Sequence, residues 1–468
     1  MTWLKARWEG VMFQQNFSYF EKVCSIQKRL FGGSYKILAC IHEPEAYWFC
    51  YNEELSSKFG KILIRKFLKE GFNSFEKGYL EVIKQIEKLF NDLNKRLSNL
   101  DKINDKELVD IYLSALELTS KFASYTLTCE PAELYLNQLL REKLVKELKQ
   151  FNGNVDNYFT ILTSPSELSF IQQEKNELIK IAEKKKQNKN INSFFIKHAE
   201  KWWFINNSYA KQFRLGKDYF IRKVNEIIKK NEKKVEINTK EKKQIFDKIK
   251  DRELKMIVKI IEKYIYLHDI RKLELLKWIY YINEIIKEFA KRLGMEFKDI
   301  CFMTHYEMTD ALIKKGKISD RVLQARKKGV STYDENGGHV FLGLKASEWK
   351  SKIFRKIKKD VKELIGMAAS PGTIKGIVKV LISTLQANKL KKGEILVTSH
   401  TTPDWVKIMK RATAIITERG GITCHAAIIS RELGVPCVTG IANATEILKD
   451  GGLVEVNGTK GIVKRVKR

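Results

Sequence analysis

The segment TERGGITCHAAIISRELGVPCVTG, Thr417 to Gly440, combines the end of a β-branched run, two adjacent glycines and a helix-like run. The β-branched run predicts a strand that ends at Thr417. A helix is predicted from about Cys424 to Leu433, with Thr423 as its N-cap and Gly434 as its stop. The segment therefore predicts a strand, a glycine loop and a helix in succession.

His425 lies in the first turn of this predicted helix. Unpaired backbone N–H groups and the helix dipole favour an anion there and disfavour an imidazolium. The neutral imidazole is also the nucleophilic form of histidine. Gly420 and Gly421 allow close backbone approach to a ligand such as phosphate. Covalent phosphoryl transfer through His425 fits this setting best, and a histidine that only packs or caps a turn is the structural alternative.

The segment belongs to a C-terminal region in which predicted strands alternate with predicted helices, as in an α/β domain. Short β-branched runs separated by glycine predict strands at 377–382, 394–398, 413–417, 436–439 and 453–456. Asn457-Gly458 predicts a hairpin after the last of these runs. Thr402 and Pro403 predict the start of an interposed helix. We assign residues 365–468 to one compact α/β domain.

The region before it is dominated by helical periodicity. In residues 76–97, apolar side chains recur three or four positions apart, as on one face of a helix. Similar patterns occur near 105–127, 131–149, 191–235 and 240–293. Two short strands around a turn at 42–46 predict a small hairpin. We therefore predict a multidomain α + α/β protein with a mainly helical body at 1–330 and a linker with a basic helix at 331–364.

Composition narrows the possible environments and partners. The 468 residues carry a formal net charge of +31 and seven scattered cysteines. The cysteines form no C-x-x-C pair, so we expect neither a disulfide framework, nor a zinc site, nor another metal centre. The lysines are spread through helical segments without a recognised binding motif, which makes nucleic acid an improbable partner. With no membrane-spanning run and no signal-peptide core, we expect a cytoplasmic protein.

The segment LVTSHTTPDWVKIMKRATAIITERGGITCHAAIISRELGVPCVTG resembles the mobile, or swivelling, phosphohistidine domain of the PEP-utilising enzymes. That family includes phosphoenolpyruvate synthase, pyruvate phosphate dikinase and rifampicin phosphotransferase, and the resemblance extends from Ala369 to the end of the chain. It implies that His425 is the phosphoryl-carrying nucleophile and that Gly420 and Gly421 form the phosphate-approach loop. Thr423 is similar to a threonine that a regulatory kinase phosphorylates in some relatives.

Two neighbours of the histidine have alternative roles. Arg419 could neutralise transferred phosphate, and a solvated loop arginine is an equal alternative. Cys424 is expected to fill the small space beside the helix start, because a free cysteine usually acts as a small apolar residue.

The resemblance also implies components that the sequence does not visibly contain. In this family an ATP-grasp domain phosphorylates the histidine from the β-phosphate of ATP, and the histidine domain then moves to an acceptor site. We recognise no ATP-grasp domain here, no G-x-x-x-x-G-K-[ST] loop, and no room after Arg468 for a pyruvate-binding barrel. We therefore expect no directly bound cofactor, with ATP and Mg held by a separate ATP-grasp protein.

By the same resemblance, the helical body would bind a small-molecule acceptor, as the helical region of rifampicin phosphotransferase does. Within HAEKWWFINNSYA, the candidates for an acceptor pocket are His198, Trp202 and Tyr209, although such aromatic residues are more often core. His305 and His339 are weaker candidates for acceptor-side bases.

Three functional hypotheses follow, of which the least supported is an anion or nucleic-acid binder that uses the positive charge of the chain. The first is a phosphotransferase component that needs a hinge in the 331–364 connection, where Gly337-Gly338 is suggestive. The second is a noncatalytic phosphohistidine carrier or regulator that binds another protein through its helical body.

Overall fold

The computed structural model contains two β-sheets, one within a largely helical body and one in a C-terminal α/β domain. It describes residues 3–9, 20–43, 46–148, 155–187, 191–208, 211–354, 361–401, 405–421 and 424–466. The predicted combination of a helical body with a C-terminal α/β domain is confirmed. No helix in these ranges is both long enough and apolar enough to cross a bilayer.

The body is built from helices α1 to α15. In chain order these are Val23–Phe31, Glu53–Glu70, Asn73–Arg96, Asp105–Thr126, Cys129–Leu148, Val155–Leu162, Phe170–Lys186, Asn192–Trp202, Lys217–Lys230, Lys240–Lys248, Arg252–Leu293, Phe297–Ile300, His305–Lys314, Asp320–Arg326 and Gly343–Ile353, with a 3-10 helix at Leu97–Lys102. The apolar stripe predicted in 76–97 is confirmed, because α3 buries Tyr79, Ile86 and Phe90 along one face. The helical pattern near 191–235 corresponds to two helices, α8 and α9.

Helix α11 is the longest element of the body, at 42 residues. The Asp251 carboxylate caps its start by accepting hydrogen bonds from the Glu253 and Leu254 N–H groups. The left-handed conformation of Gly294 (φ 62°) ends it. At 1.5 Å per residue the helix extends for about 60 Å, and it packs against α3, α4 and α5. It therefore provides the surface on which the rest of the body is assembled.

The sheet of the body is larger than the hairpin that the sequence predicts. Its strands are β1 Trp3–Glu9, β2 Ile37–Glu43, β3 Ala46–Asn52, β4 Val330–Asp334 and β5 Gly337–Phe341. They pair antiparallel in the order β1-β3-β2-β4-β5. The predicted pairing of β2 with β3 is confirmed, and the turn residues 44–45 lie outside the described residues.

Strands β4 and β5 come from the stretch that the sequence analysis assigned to a linker. They close the sheet because Val330 shares an apolar cluster with Ala39 and Ile41 of β2 and with Ala346 and Ile353 of α15. Polar residues alternate with few apolar ones in this stretch, so its strand pattern is weak. Gly337 and Gly338 are paired with Asp334 and Tyr333 in the sheet, which contradicts a hinge at that pair.

The C-terminal domain contains strands β6 to β13 and helices α16 to α18. The strands are Glu363–Ile365, Met367–Ser370, Thr373–Val380, Ile395–Thr398, Ala414–Thr417, Cys437–Thr439, Leu453–Asn457 and Ile462–Arg465, and the helices are Val406–Met409, His425–Leu433 and Ala444–Ile447, with a 3-10 helix at Thr384–Lys389. The sheet order is β6-β13-β12-β8-β9-β10-β11-β7. Neighbours from β8 to β11 are parallel, whereas both flanks are antiparallel.

All five predicted C-terminal strands are present, with shifts of a few residues at their ends. The predicted hairpin between β12 and β13 is confirmed, although its loop covers 458–461 and the Asn457 side chain accepts from the Lys460 N–H. Helix α17 begins at His425 with Cys424 as N-cap, which corrects the predicted cap. Thr423 itself and the predicted helix start at 402–404 lie outside the described residues.

Helices α2 and α5 approach so closely that one position admits only glycine. A Cβ atom at Gly60 would lie 1.9 Å from the Pro131 carbonyl oxygen, a backbone atom that cannot rotate away. We expect Gly60→Ala to lower the free energy of unfolding of the body by about 1–3 kcal/mol. Urea titration followed by helical circular dichroism measures this change.

Gly216→Ala is the matched control, because a Cβ atom there meets nothing within 4 Å. Equal unfolding midpoints for the two variants would contradict the close contact between α2 and α5.

Candidate functional site

The site is built at the carboxyl ends of two adjacent parallel strands. Strand β9 leads into residues 399–401, and β10 leads into the loop that reaches His425 at the start of α17. Parallel strands bring the segments that follow them to the same edge of a sheet. The pairing of Thr417 with Thr398 therefore places two sequence segments beside each other that are about 20 residues apart.

The backbone conformation requires glycine at one of the two loop positions, and a close approach to side chains of the body favours it at the other. Gly420 has a φ of 103°, and a Cβ atom there would lie 2.5 Å from the Cys424 side chain. A Cβ atom at Gly421 would lie 2.3 Å from Glu133 Oε1 and 2.9 Å from Asn137 Nδ2, both on α5. Gly420 thus permits the turn before α17, whereas Gly421 lets the loop press against the helical body.

The imidazole of His425 is half-buried and oriented by a neighbouring hydroxyl. Its Nδ1 lies 2.8 Å from Oγ1 of Thr401, whose side chain is buried. Among the described residues, Nε2 has no hydrogen-bond partner. Burial, followed by the positive charge of Lys272 and by His400, holds the pKa of His425 well below its ordinary value. The ring is therefore neutral at neutral pH and presents Nε2 as its unengaged nitrogen.

A second histidine lies beside it that the sequence analysis did not select. His400 Nδ1 is 3.0 Å from Ser399 Oγ, and burial together with Arg419 lowers the pKa of His400 to about 3. The signal was present in the Ser399-His400-Thr401 run directly after a predicted strand, because that position is where α/β domains gather their functional side chains.

Arg419 points to the helical body. Its guanidinium lies 5.0 Å from the ring centroid of Tyr51 on β3, in a cation–π contact. Its backbone N–H donates to the Ser399 carbonyl at 2.9 Å. The arginine therefore joins the histidine loop to the body, and its suggested role toward transferred phosphate stays a prediction.

The surface of the body that faces the loop is formed by α5 and α11. Arg271 Nη1 lies 2.9 Å from Glu130 Oε1, and its guanidinium also donates to the Thr126 carbonyl and to His268. Burial raises the pKa of Glu130, but the opposing charges of Arg271 and Arg419 outweigh it and leave the pKa below its ordinary value. Glu130 is thus an ionised group shared between the body and the loop arginine.

Further contacts hold the C-terminal domain on the body at several points. Gln172 donates to Glu432 at 2.7 Å, and Lys5 lies 3.3 Å from Glu446. Asn137 Nδ2 lies 3.5 Å from the Met367 sulfur. A cavity of about 20 Å³, lined in part by Asn137, lies between α5 and α11 beside this contact. Such a space holds about one water molecule.

The predicted acceptor residues lie elsewhere in the body. His198 is buried between Glu174 (3.2 Å) and Glu177 (3.6 Å), and Trp202 donates to Glu177 at 2.7 Å. Within the described ranges neither side chain contacts the His425 loop, and Tyr209 lies outside those ranges. Burial in a packed, ion-paired cluster supports the core alternative for both residues.

The two weaker candidates for acceptor-side bases, His305 and His339, lie on other elements of the body. His305 begins α13, whose N-cap is Thr304 in a capping box with Glu307, and His339 is exposed on β5. In the described part of the chain, no three histidine, cysteine, aspartate or glutamate side chains are grouped as a possible metal centre.

The fold and the site together define an α/β domain that presents a neutral histidine from the carboxyl edge of a parallel sheet. Residues 390–461 match the family of the PEP-utilising enzyme mobile domain, and this part of the chain is such a domain.

Curated relatives agree with this assignment. A probable phosphoenolpyruvate synthase of Archaeoglobus fulgidus is 59% identical over 100 residues, which cover 21% of this chain and 13% of that protein. Phosphoenolpyruvate synthase of Pyrococcus furiosus is 44% identical over 137 residues, which cover 28% of this chain and 17% of that protein. The chain thus spans about an eighth of the length of the first of these relatives.

A likeness to solved structures is much weaker. The holo-form of Thermococcus kodakaraensis aconitase X is 21% identical, with a TM-score of 0.19 over 22% of this chain and 98% of that chain. A likeness of this size bears on neither the fold nor the function of the protein.

The depressed pKa values predict that His425 and His400 stay neutral in the native protein well below pH 6.5. We expect their ring resonances to remain unshifted between pH 8 and pH 5.5 in NMR spectra assigned with His425→Ala and His400→Asn. Since the unfolded chain takes up these protons near pH 6.5, the stability that both rings contribute is full above that pH. It is lost as the pH falls toward the folded-state values. A midpoint near 6.5 for His425 would contradict its burial.

Proposed function

We propose that the chain is a phosphotransferase component that carries a phosphoryl group on Nε2 of His425. The single observation that supports this most strongly is the hydrogen bond between His425 Nδ1 and Thr401. We assign the tautomer in which Nδ1–H donates to the Thr401 hydroxyl, because this tautomer has its lone pair on Nε2. The nucleophilic nitrogen is then the one without a partner among the described residues.

The phosphoryl transfer needs only the donor and the imidazole of His425. The Nε2 lone pair attacks phosphorus, an N–P bond forms, and the bond between phosphorus and the leaving oxygen of the donor breaks with its electron pair. The ring is left with a proton on Nδ1 that it can release to solvent. The Thr401 hydroxyl accepts from Nδ1–H before this release and donates to the bare Nδ1 afterwards, so the ring stays oriented in both states.

We propose that the donor is an ATP-grasp domain on a separate protein, which binds ATP and Mg. In the docked arrangement, the loop that leads to the histidine lies against α5 at Gly421, so the C-terminal domain would swing away from the body to meet the donor. The transfer half-reaction in the docked state would deliver the phosphoryl group to a small molecule at the body. The relatives named phosphoenolpyruvate synthase support this class of chemistry.

One observation favours a second candidate, a noncatalytic phosphohistidine carrier or regulator. The cavity between α5 and α11 beside the loop is only about 20 Å³. This volume is far below the several hundred Å³ of an ordinary small-molecule pocket. Under this alternative the body binds another protein, and phosphorylation of His425 is the signal.

We expect His425 to be labelled from ATP carrying the label at the β-phosphate when a lysate of the host supplies the partner. The labelled product is an acid-labile phosphohistidine, measured after gel separation with and without acid treatment. His425→Ala abolishes the label because the acceptor nitrogen is gone.

His339→Ala is the matched control, since it removes an exposed histidine remote from the sheet edge. It should be labelled like the wild type. Labelling of His425→Ala at the wild-type level would contradict the proposal, and labelling of the wild type by ATP alone would contradict the separate donor.

A further inference from the structure

The side chain of Arg419 crosses from the C-terminal domain to the body, whereas its backbone is fixed within the domain. The Arg419 N–H donates to the Ser399 carbonyl at 2.9 Å, and the Arg419 carbonyl accepts from Thr417 Oγ1 at 2.8 Å. The guanidinium carbon lies 5.0 Å from the centroid of the Tyr51 ring. Because Arg419 directly precedes the two glycines of the histidine loop, this contact ties the position of that loop to the body.

Tyr51 is a fixed partner for this cation. It lies in β3, where it is paired with Leu4 of β1 on one side and with Leu38 of β2 on the other. Tyr51 is buried, and its ring packs edge-on against the buried Tyr35 at 5.5 Å and tilted against Phe49 at 6.2 Å. A ring held on these sides cannot follow the arginine when the domain moves. The contact therefore defines one position of the domain on the body.

The strength of this contact suits a domain that has to leave the body. A cation over an aromatic ring shifts an equilibrium by about two- to thirtyfold, depending on how far the pair is desolvated. The Glu130 carboxylate of α5, by contrast, is paired within the body with Arg271 at 2.9 Å. Among the described residues, the direct partner of Arg419 across the interface is thus a neutral ring. Its release leaves no buried charge of the body unpaired, which is the costly event when an ion pair is broken.

We propose that Arg419 and Tyr51 form a latch that holds the histidine loop on the body and so limits the rate at which His425 is loaded. This inference rests on the proposed function, since it requires the C-terminal domain to leave the body to meet the donor. A donor that reacts only with the undocked chain acts on a fraction of the molecules, and that fraction rises when the docked state is weakened. Arg419 and Tyr51 are positioning residues in this scheme, and neither takes part in bond making at Nε2.

The latch and a phosphate-binding role for Arg419 predict different effects of a change on the body. If Arg419 served only to neutralise transferred phosphate, the Tyr51 ring would have no influence on loading. Replacing Tyr51 leaves the arginine and the whole C-terminal domain unchanged. Tyr51→Leu removes the ring, whereas Tyr51→Phe keeps the aromatic face on which the cation rests and removes only the hydroxyl.

Loading is measured on the full-length chain as the initial rate of acid-labile labelling at His425, with β-labelled ATP and host lysate. We expect Tyr51→Leu to be labelled about two to thirty times faster than Tyr51→Phe, because the undocked fraction rises by that factor while docking still dominates. Arg214→Met is the matched control, since it removes an arginine that lies 5.1 Å from the Trp203 ring within the body. It should keep the wild-type rate. A Tyr51→Leu variant labelled no faster than Tyr51→Phe would overturn the latch.

Crosslinking measures docking directly, without phosphoryl transfer. Gln172 Nε2 lies 2.7 Å from Glu432 Oε1 across the interface, so Gln172→Cys with Glu432→Cys brings two thiols together when the domain is docked. We expect a short bis-maleimide reagent to join them more slowly in Tyr51→Leu than in Tyr51→Phe, as mapped by mass spectrometry. Arg419→Met should slow the reaction as Tyr51→Leu does, and the double variant no further, because the two side chains form one contact. Arg419→Met also tests the latch from the domain side if Tyr51→Leu does not fold.

The outcomes separate the latch from the function on which it rests. Absence of label on His425 in the wild type would overturn the proposed function, and the crosslinking rates would still decide on the latch. Slower crosslinking of Tyr51→Leu and Arg419→Met, with the wild-type rate kept in Tyr51→Phe and in Arg214→Met, would support it. Equal crosslinking rates for all four variants would overturn it, whether or not His425 is labelled.

Discussion

The contact on which the site depends is that between the glycine loop of the C-terminal domain and helices α5 and α11 of the body. Burial of the His425 ring and the positive charge of Lys272 on α11 both favour the neutral imidazole. The helix start acts in the same direction, because its dipole disfavours positive charge. Three independent features thus select one protonation state. Of the three, only the helix start belongs to the C-terminal domain alone.

The same contact is built to be specific rather than strong. The polar contacts across it are few: the pair of Gln172 with Glu432 is exposed, and the pair of Lys5 with Glu446 joins a buried lysine to a half-exposed glutamate. The loop approaches the body at Gly421, where an added Cβ atom would meet the ends of the Glu133 and Asn137 side chains. A domain held mainly by shape and a few polar contacts can leave and return to one position. Under the proposed function, that property is what a carrier visiting two sites requires.

Much of the C-terminal domain could be predicted because its local signals agree with one another. β-branched runs, glycine stops and the Asn457-Gly458 turn all favour the strands that the structure contains. The site was predicted around His425 for the same reason, since strand, glycine loop and helix start coincide there. His400 was missed because its place beside His425 depends on the pairing of β9 with β10, two segments that are distant in the chain.

Two strands of the body's sheet could not be predicted from the sequence for a similar reason. Strands β4 and β5 are more than 280 residues away from β2, and their polar alternation gives them little pattern of their own. What defines them is the apolar cluster shared by Val330, Ile41 and Ile353, a contact that only the folded chain creates. Tertiary pairing therefore overrides a weak local preference, as is common for strands.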